Sequence, residues 1–203
     1  MNGHRYLAAH DRIATLVAPL DDDLVIPATP GWSLLDLLAH LAAAAHDLAD
    51  RDVEDWSLDE WTAAQVAARR GAPVADLLAE WERGAVRVEP TITAFPAIMQ
   101  TMFLTDAVTH EHDIRHAIER PGARDSDAIA FAYGRVSTVI GPARSEAGAL
   151  RLVHDAGTDL LGEGEPTATL CTSRFEIVRA AVGRRAFAEI TAWDWDGPAT
   201  PEA

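Results

Sequence analysis

The sequence predicts a mainly α protein, with a helix bundle over residues 1–142 followed by a small α+β piece over residues 146–203. Three observations lead there. Apolar residues recur at spacings of three and four in one segment after another up to about residue 140. Prolines and glycines punctuate those segments at their ends, and beyond residue 146 the pattern turns to short β-type runs separated by glycines.

The first element is an amphipathic helix over residues 4–19, with Tyr6, Ala9, Ile13, Leu16, Val17 and Leu20 on one face and Pro19 and an acidic turn at its end. After the loop VIPATPGW, Ser33 stands three residues before Asp36, a capping-box arrangement. It opens a helix through about Ala49 that buries Leu34, Leu37, Leu38, Leu41, Ala45 and Leu48, with His40 at the shoulder of the apolar stripe. Ser57 and Glu60 repeat the box for a helix ending at Gly71, and Pro73 opens another that carries Val74, Leu77, Leu78 and Trp81. Residues 88–96 read as loop, and Pro96 stands near the start of a long helix that stops near Pro121 and Gly122.

A further helix runs from about Ser126 to Ile140, apolar at Ile129, Ala132, Tyr133, Val136 and Ile140, and finishes at Gly141 and Pro142. Residues 149–154 and 167–172 then read as β segments, with Gly157, Gly162 and Gly164 as turn residues. A helix from Ser173 to Val182 ends at Gly183, and WDWDGPATPEA closes the chain with its last few residues disordered. Cys171, inside a predicted strand, reads as a small buried hydrophobe.

Composition narrows the function. Seventeen basic against 32 acidic residues give a formal charge of −15, which repels nucleic acid and anionic membrane surfaces. No run of 18 uncharged apolar residues exists, and charges sit where a signal peptide needs its apolar region, so a cytoplasmic location is expected. A single cysteine excludes an intramolecular disulfide and a thiolate metal cluster, leaving His, Asp and Glu to build any metal site. Monomer and homodimer both stay open.

The long helix contains MQTMFLTDAVTHEHDIRHAIERP, residues 99–121, the densest run of titratable groups in the chain. Met99, Phe103, Asp106, His110, Asp113 and Ala117 project within about 80° of one another, while Glu111, Arg115 and Glu119 take the opposite side and His112 and His116 point to solvent. Asp106 and His110, four residues apart, form either a helix-surface pair or two ligands of a metal that needs a third, for which His40 is the candidate. Two imidazoles and a carboxylate with an open fourth position are the ligands of a catalytic zinc, although nickel, copper or iron can also load. Asp113 suits a partner that orients His110 or His40 rather than a ligand.

TPGWSLLDLLAHLA at 29–42, DAVTHEHDIRHAIERPG at 106–122 and VGRRAFAEITAWDWDG at 182–197 resemble the mycothiol-dependent maleylpyruvate isomerase family, a branch of the DinB-like helix bundles, over nearly the whole chain. The resemblance implies a metal-binding four-helix bundle followed by a small α/β domain, with the metal triad falling on His40, Asp106 and His110. The first residue of the pair is often Glu in the family and is Asp here, one methylene shorter. The resemblance also implies zinc and the low-molecular-weight thiol mycothiol, whose thiolate would add to a small electrophile and either leave after isomerisation or stay on as an S-transferase product.

A diacid substrate needs a cationic clamp, for which Arg184 and Arg185 are candidates; pairing with Asp or Glu at the domain interface is the equal alternative. Trp32 either lines the cofactor pocket or caps the core. Two other readings stand beside the enzyme: a non-catalytic metal-binding or sensor protein on the same bundle, and a zinc-dependent hydrolase that uses water in place of thiol.

Overall fold

The computed structural model describes residues 3–50, 58–88, 90, 94, 97–143 and 148–199. The chain divides into two compact units, Met1–Gly122 and Ala123–Ala203.

The first unit holds α1 (Gly3–Val17), α2 (Leu34–Asp50), α3 (Leu58–Ala68), α4 (Val74–Val88) and α5 (Ala97–Ala117). Helices α1, α2, α4 and α5 pack into a four-helix bundle, and α3 lies against α2. The periodic residues do what their spacing requires: Tyr6, Ala9, Ile13, Leu16 and Val17 of α1 are buried, as are Leu34, Leu37, Leu38, Leu41, Ala45 and Leu48 of α2. Trp81 is fully buried and donates its indole N–H to the Tyr6 hydroxyl at 3.0 Å.

Small residues set how closely α2 and α4 meet. Ala42, Ala43, Ala44 and Ala45 are all buried, and a Cβ on Gly84 would stand 2.9 Å from Ala45 Cβ and 3.0 Å from the Ala45 carbonyl carbon. The expected box at the start of α2 is present. The Ser33 amide and hydroxyl each donate to Asp36 Oδ2 at 2.9 Å, and the Asp36 amide donates back to Ser33 Oγ at 3.2 Å. The loop before it is closed by Leu34 N–H to Leu24 O at 2.8 Å and Ile26 N–H to Trp32 O at 3.1 Å, with Gly31 in the left-handed region at φ 87°. Trp32 is thereby held at the mouth of α2. The second box falls outside the described residues at Ser57, as does Pro96.

The second unit holds α6 (Asp127–Ala143), β1 (Ala149–His154), β2 (Gly157–Leu161), β3 (Pro166–Cys171), α7 (Arg174–Ala181), α8 (Phe187–Thr191) and β4 (Asp194–Asp196). The sheet order is β2-β1-β3-β4; β1 pairs antiparallel with β2 and parallel with β3, and β4 pairs antiparallel with β3. Helix α6 packs on α7 and β2, so the helix that the sequence grouped with the bundle is counted with this unit. It also runs on through Gly141 and Pro142. Ser173 caps α7 by accepting from the Glu176 amide at 3.2 Å, and Gly183 follows in the left-handed region, φ 74°, as the sequence predicts.

Three features depart from expectation. Strands β2 and β4 and helix α8 are short elements that periodicity did not reveal; Trp195, placed by the sequence in the chain's closing tail, pairs with Leu170. Cys171 is exposed, because strand alternation sends Ala168 and Leu170 to the buried face and turns Cys171 to the other. No described helix is long and apolar enough to cross a membrane.

Candidate metal centre

Helix α2 delivers His40 and α5 delivers Asp106 and His110 to one point. One donor atom from each lies within 4.8 Å of the other two, the one such cluster of three found among the described residues. Asp106 stands between the imidazoles, with Oδ2 3.1 Å from His40 Nε2 and Oδ1 3.3 Å from His110 Nε2. Both histidines are buried, and Asp106 keeps a third of its side chain exposed. Ligands at about 2.0–2.1 Å from a tetrahedral ion stand about 3.3 Å apart, so contacts of this length suit a zinc-sized ion after small side-chain shifts. The aspartate, despite its missing methylene, reaches both imidazoles.

The far nitrogens are held as well. His110 Nδ1 lies 3.1 Å from Asp113 Oδ2, and Asp113 is fully buried. His40 Nδ1 lies 2.9 Å from Gln65 Oε1, and Gln65 Nε2 donates to Asp47 Oδ2 at 2.7 Å. Acceptors at both Nδ1 atoms place a hydrogen on each and turn the Nε2 atoms toward the cluster, the orientation that metal-bound imidazoles adopt once Nε2 is deprotonated. Asp113 thus lies behind His110, away from Asp106. Gln65 and Asp47 were missed, although Asp47 is seven residues after His40 on the same helix face and Gln65 is a polar residue at a buried position of α3.

Trp32 covers the imidazoles. Its ring lies 6.2 Å from that of His110 at an interplanar angle of 27°, and 5.5 Å from that of His40, which in turn stands 5.5 Å from His110 edge-on.

The electrostatics are those of a carboxylate paired with two imidazoles. Burial alone would push the Asp106 carboxyl up, but the charges of His40 and then His110 outweigh it and hold the group far below the usual carboxylate range. Burial pulls His110 down, and the charge and hydrogen bond of Asp106, with those of Asp113, more than reverse this, raising it to about 9.

Other expected features fall elsewhere. His116 is exposed as predicted, but His112 is only 4% exposed, because residues 107–114 are all buried and that stretch of α5 has no solvent side. Glu111, on the side opposite the stripe, is fully buried; Arg12 Nε donates to both its oxygens at 3.0 and 2.9 Å and Arg115 Nε to one at 3.0 Å, tying α1 to α5. The side chain of Met99 lies outside the described residues. In the second unit, Arg185 donates to both Glu176 oxygens, at 2.5 and 3.0 Å, and Arg184 Nη1 donates to Val182 O at 2.9 Å.

The sequence model of the mycothiol maleylpyruvate isomerase N-terminal domain matches residues 6–102. Residues 6–102 belong to that family. The matched span contains Trp32, His40, Asp47 and Gln65 and ends four residues before Asp106, so this mycothiol maleylpyruvate isomerase domain supplies one side of the centre and the rest of α5 the other. Two solved structures share the fold. One is a crystal structure of the mycothiol-dependent maleylpyruvate isomerase, at 13% identity and a TM-score of 0.56, covering 92% of this chain and 89% of that one. The other is a histidine-to-alanine mutant described under the same name, at 14% identity and a TM-score of 0.57, covering 91% and 88%. No curated protein matches the chain.

Proposed function

We propose that the protein is a metal-dependent enzyme, with zinc held by His40, Asp106 and His110, that uses the thiol of mycothiol to isomerise a small electrophile or to form a lasting S-conjugate with it. The observation that carries this reading is the convergence of two Nε2 atoms and a carboxylate within 4.8 Å, each imidazole held from behind by its own acceptor. A bound zinc would supply Lewis acidity that lowers the pKa of a thiol into the neutral range.

The chain's own residues do the rest. Gln65 and Asp113 orient the imidazoles, and Trp32 shields their faces from water, which strengthens every charge interaction at the centre. The exposed third of Asp106 marks the side open to reactants. Arg184 and Arg185 remain the proposed clamp for a substrate carboxylate, and Arg185 would have to exchange Glu176 for it. The reading takes the protein as cytoplasmic and as acting on small molecules rather than on nucleic acid or membranes, in keeping with its net charge of −15.

The test is twofold. Purified protein is expected to carry about one equivalent of metal that His110→Ala loses, and unchanged content would overturn the ligand set. Turnover of maleylpyruvate or a related electrophile should require added mycothiol. Turnover without any thiol would favour the hydrolase, and metal binding without turnover on a broad electrophile panel would favour the sensor.

A further inference from the structure

We propose that Asp47 and Gln65 are positioning residues that fix which nitrogen of His40 faces the metal, Asp47 acting through Gln65 without touching the centre itself. The inference rests on His40 being a metal ligand. His40 and Asp47 are two turns apart on one face of α2, and Gln65, only 4% exposed, reaches between them from α3.

The hydrogen bonds of the three side chains have one consistent direction. Asp47 Oδ2 lies 2.7 Å from the Gln65 amide, and an ionised carboxylate only accepts, so the amide nitrogen must be the atom on that side. This leaves Gln65 Oε1 for His40 Nδ1 at 2.9 Å, and an amide oxygen also only accepts. A hydrogen is therefore on Nδ1, so Nε2 is the nitrogen that can give up its own hydrogen and offer a lone pair to an ion.

The relay works by removing a competitor. If the Gln65 amide turned over, its N–H would face Nδ1 and select the tautomer with hydrogen on Nε2. In the neutral imidazole that hydrogen would point at Asp106 Oδ2, 3.1 Å away, a satisfied metal-free arrangement that an ion would have to break. With the amide as it stands, the neutral ring has no hydrogen to give Asp106 and its Nε2 is open to an ion. The acceptor-only carboxylate of Asp47 forbids the turned amide. His110 needs no such relay, because Asp113 is itself acceptor-only. At His40 the neutral amide does the same work without placing a second carboxylate against an imidazole that already meets Asp106.

Zinc affinity of the full chain, read by competition with a chromophoric chelator, tests this. Asp47→Asn keeps size and a bridge between α2 and α3 but pairs with either amide orientation, so it is expected to bind zinc about 10- to 100-fold more weakly, the usual range for partners behind a ligand. Asp47→Glu, again acceptor-only, should return affinity to within about threefold of wild type, and Gln65→Leu should lose at least about tenfold. Melting temperatures of the metal-free variants establish folding. Wild-type affinity in folded Asp47→Asn, or in folded Gln65→Leu, overturns the relay. If instead His110→Ala leaves the zinc content of otherwise unaltered protein unchanged, the metal centre fails and not the relay alone.

Discussion

His110 is gripped from both ends by carboxylates of its own helix, Asp106 at Nε2 one turn before it and Asp113 at Nδ1 three residues after it. The first is where an ion would sit and the second is sealed from solvent. Asp113 should thus set the basicity and ring orientation of His110, and Asp113→Ala is expected to lower zinc affinity about 10- to 100-fold. Because hydrogen bonds to an ionised acceptor are about twice as strong as those to a neutral one, this loss should exceed that of Gln65→Leu. Chelator competition on the two variants gives the order, and a smaller loss for Asp113→Ala would mean that its charge does not reach the metal.

The raised pKa of His110 makes metal binding pH-dependent. In the metal-free protein His110 holds its proton up to about pH 9, and an ion arriving at Nε2 must displace it. Zinc affinity should rise with pH and level off near 9. Calorimetry at pH 7 in buffers of different ionisation heat should find about one proton released per zinc. The sign for stability is the reverse: a group raised in the folded state contributes fully below its unfolded value of about 6.5 and loses that contribution as pH rises through about 9. Metal-free protein should melt lower at pH 9.5 than at pH 7, and His110→Ala should flatten that difference.

The approach of α2 to α4 predicts a packing defect at one position. Gly84→Ala would add a Cβ 2.9 Å from Ala45 Cβ and 3.0 Å from its carbonyl carbon, and a helix backbone cannot yield as a flexible side chain can. Overpacking of this kind costs about 1–3 kcal/mol, against about 1 kcal/mol gained from the better helix propensity of alanine. The net should be a loss of up to about 2 kcal/mol in urea unfolding. Gly134→Ala, with nothing within 4 Å of the added carbon, should be neutral or stabilising.

Much of this was legible because helices declare themselves through repetition. Residues such as Ile13, Leu41 and Trp81 recur at three and four, and the Ser33–Asp36 box and the Ser173 cap mark their own positions. The triad was legible in two parts, the four-residue spacing of Asp106 and His110 from the sequence and His40 through its shoulder position. Gln65 was not, since a polar residue at a buried helical position announces nothing until its partner on another helix is known. Short elements carry too few residues to show a period, so β4 rested on its three pairs with β3. Cys171 followed strand parity rather than residue preference, and His112 followed the burial of the whole turn around it.

The second unit offers a prediction of its own. Asp159 Oδ2 on β2 receives the Tyr133 hydroxyl of α6 at 2.5 Å and His154 Nε2 at 3.1 Å, while the Ala156 amide donates to His154 Nδ1 at 3.1 Å and so assigns the hydrogen to Nε2. These hydrogen bonds, that of Tyr133 first, hold the Asp159 carboxyl below its usual value. Such a group contributes above its unfolded value of about 3.9 and loses that contribution as pH falls through its lower folded value. Tyr133→Phe removes the leading hydrogen bond. A bond to a charged acceptor is worth about 1.5–3 kcal/mol, but the Asp159 side chain is 47% exposed and water replaces part of it, so a loss of about 1 kcal/mol is expected at pH 7. At a pH low enough to protonate the carboxyl, the loss should shrink to a few tenths. Urea unfolding of the two proteins at both pH values decides it: an equal loss at both would mean that the hydroxyl acts through packing and not through the Asp159 carboxylate.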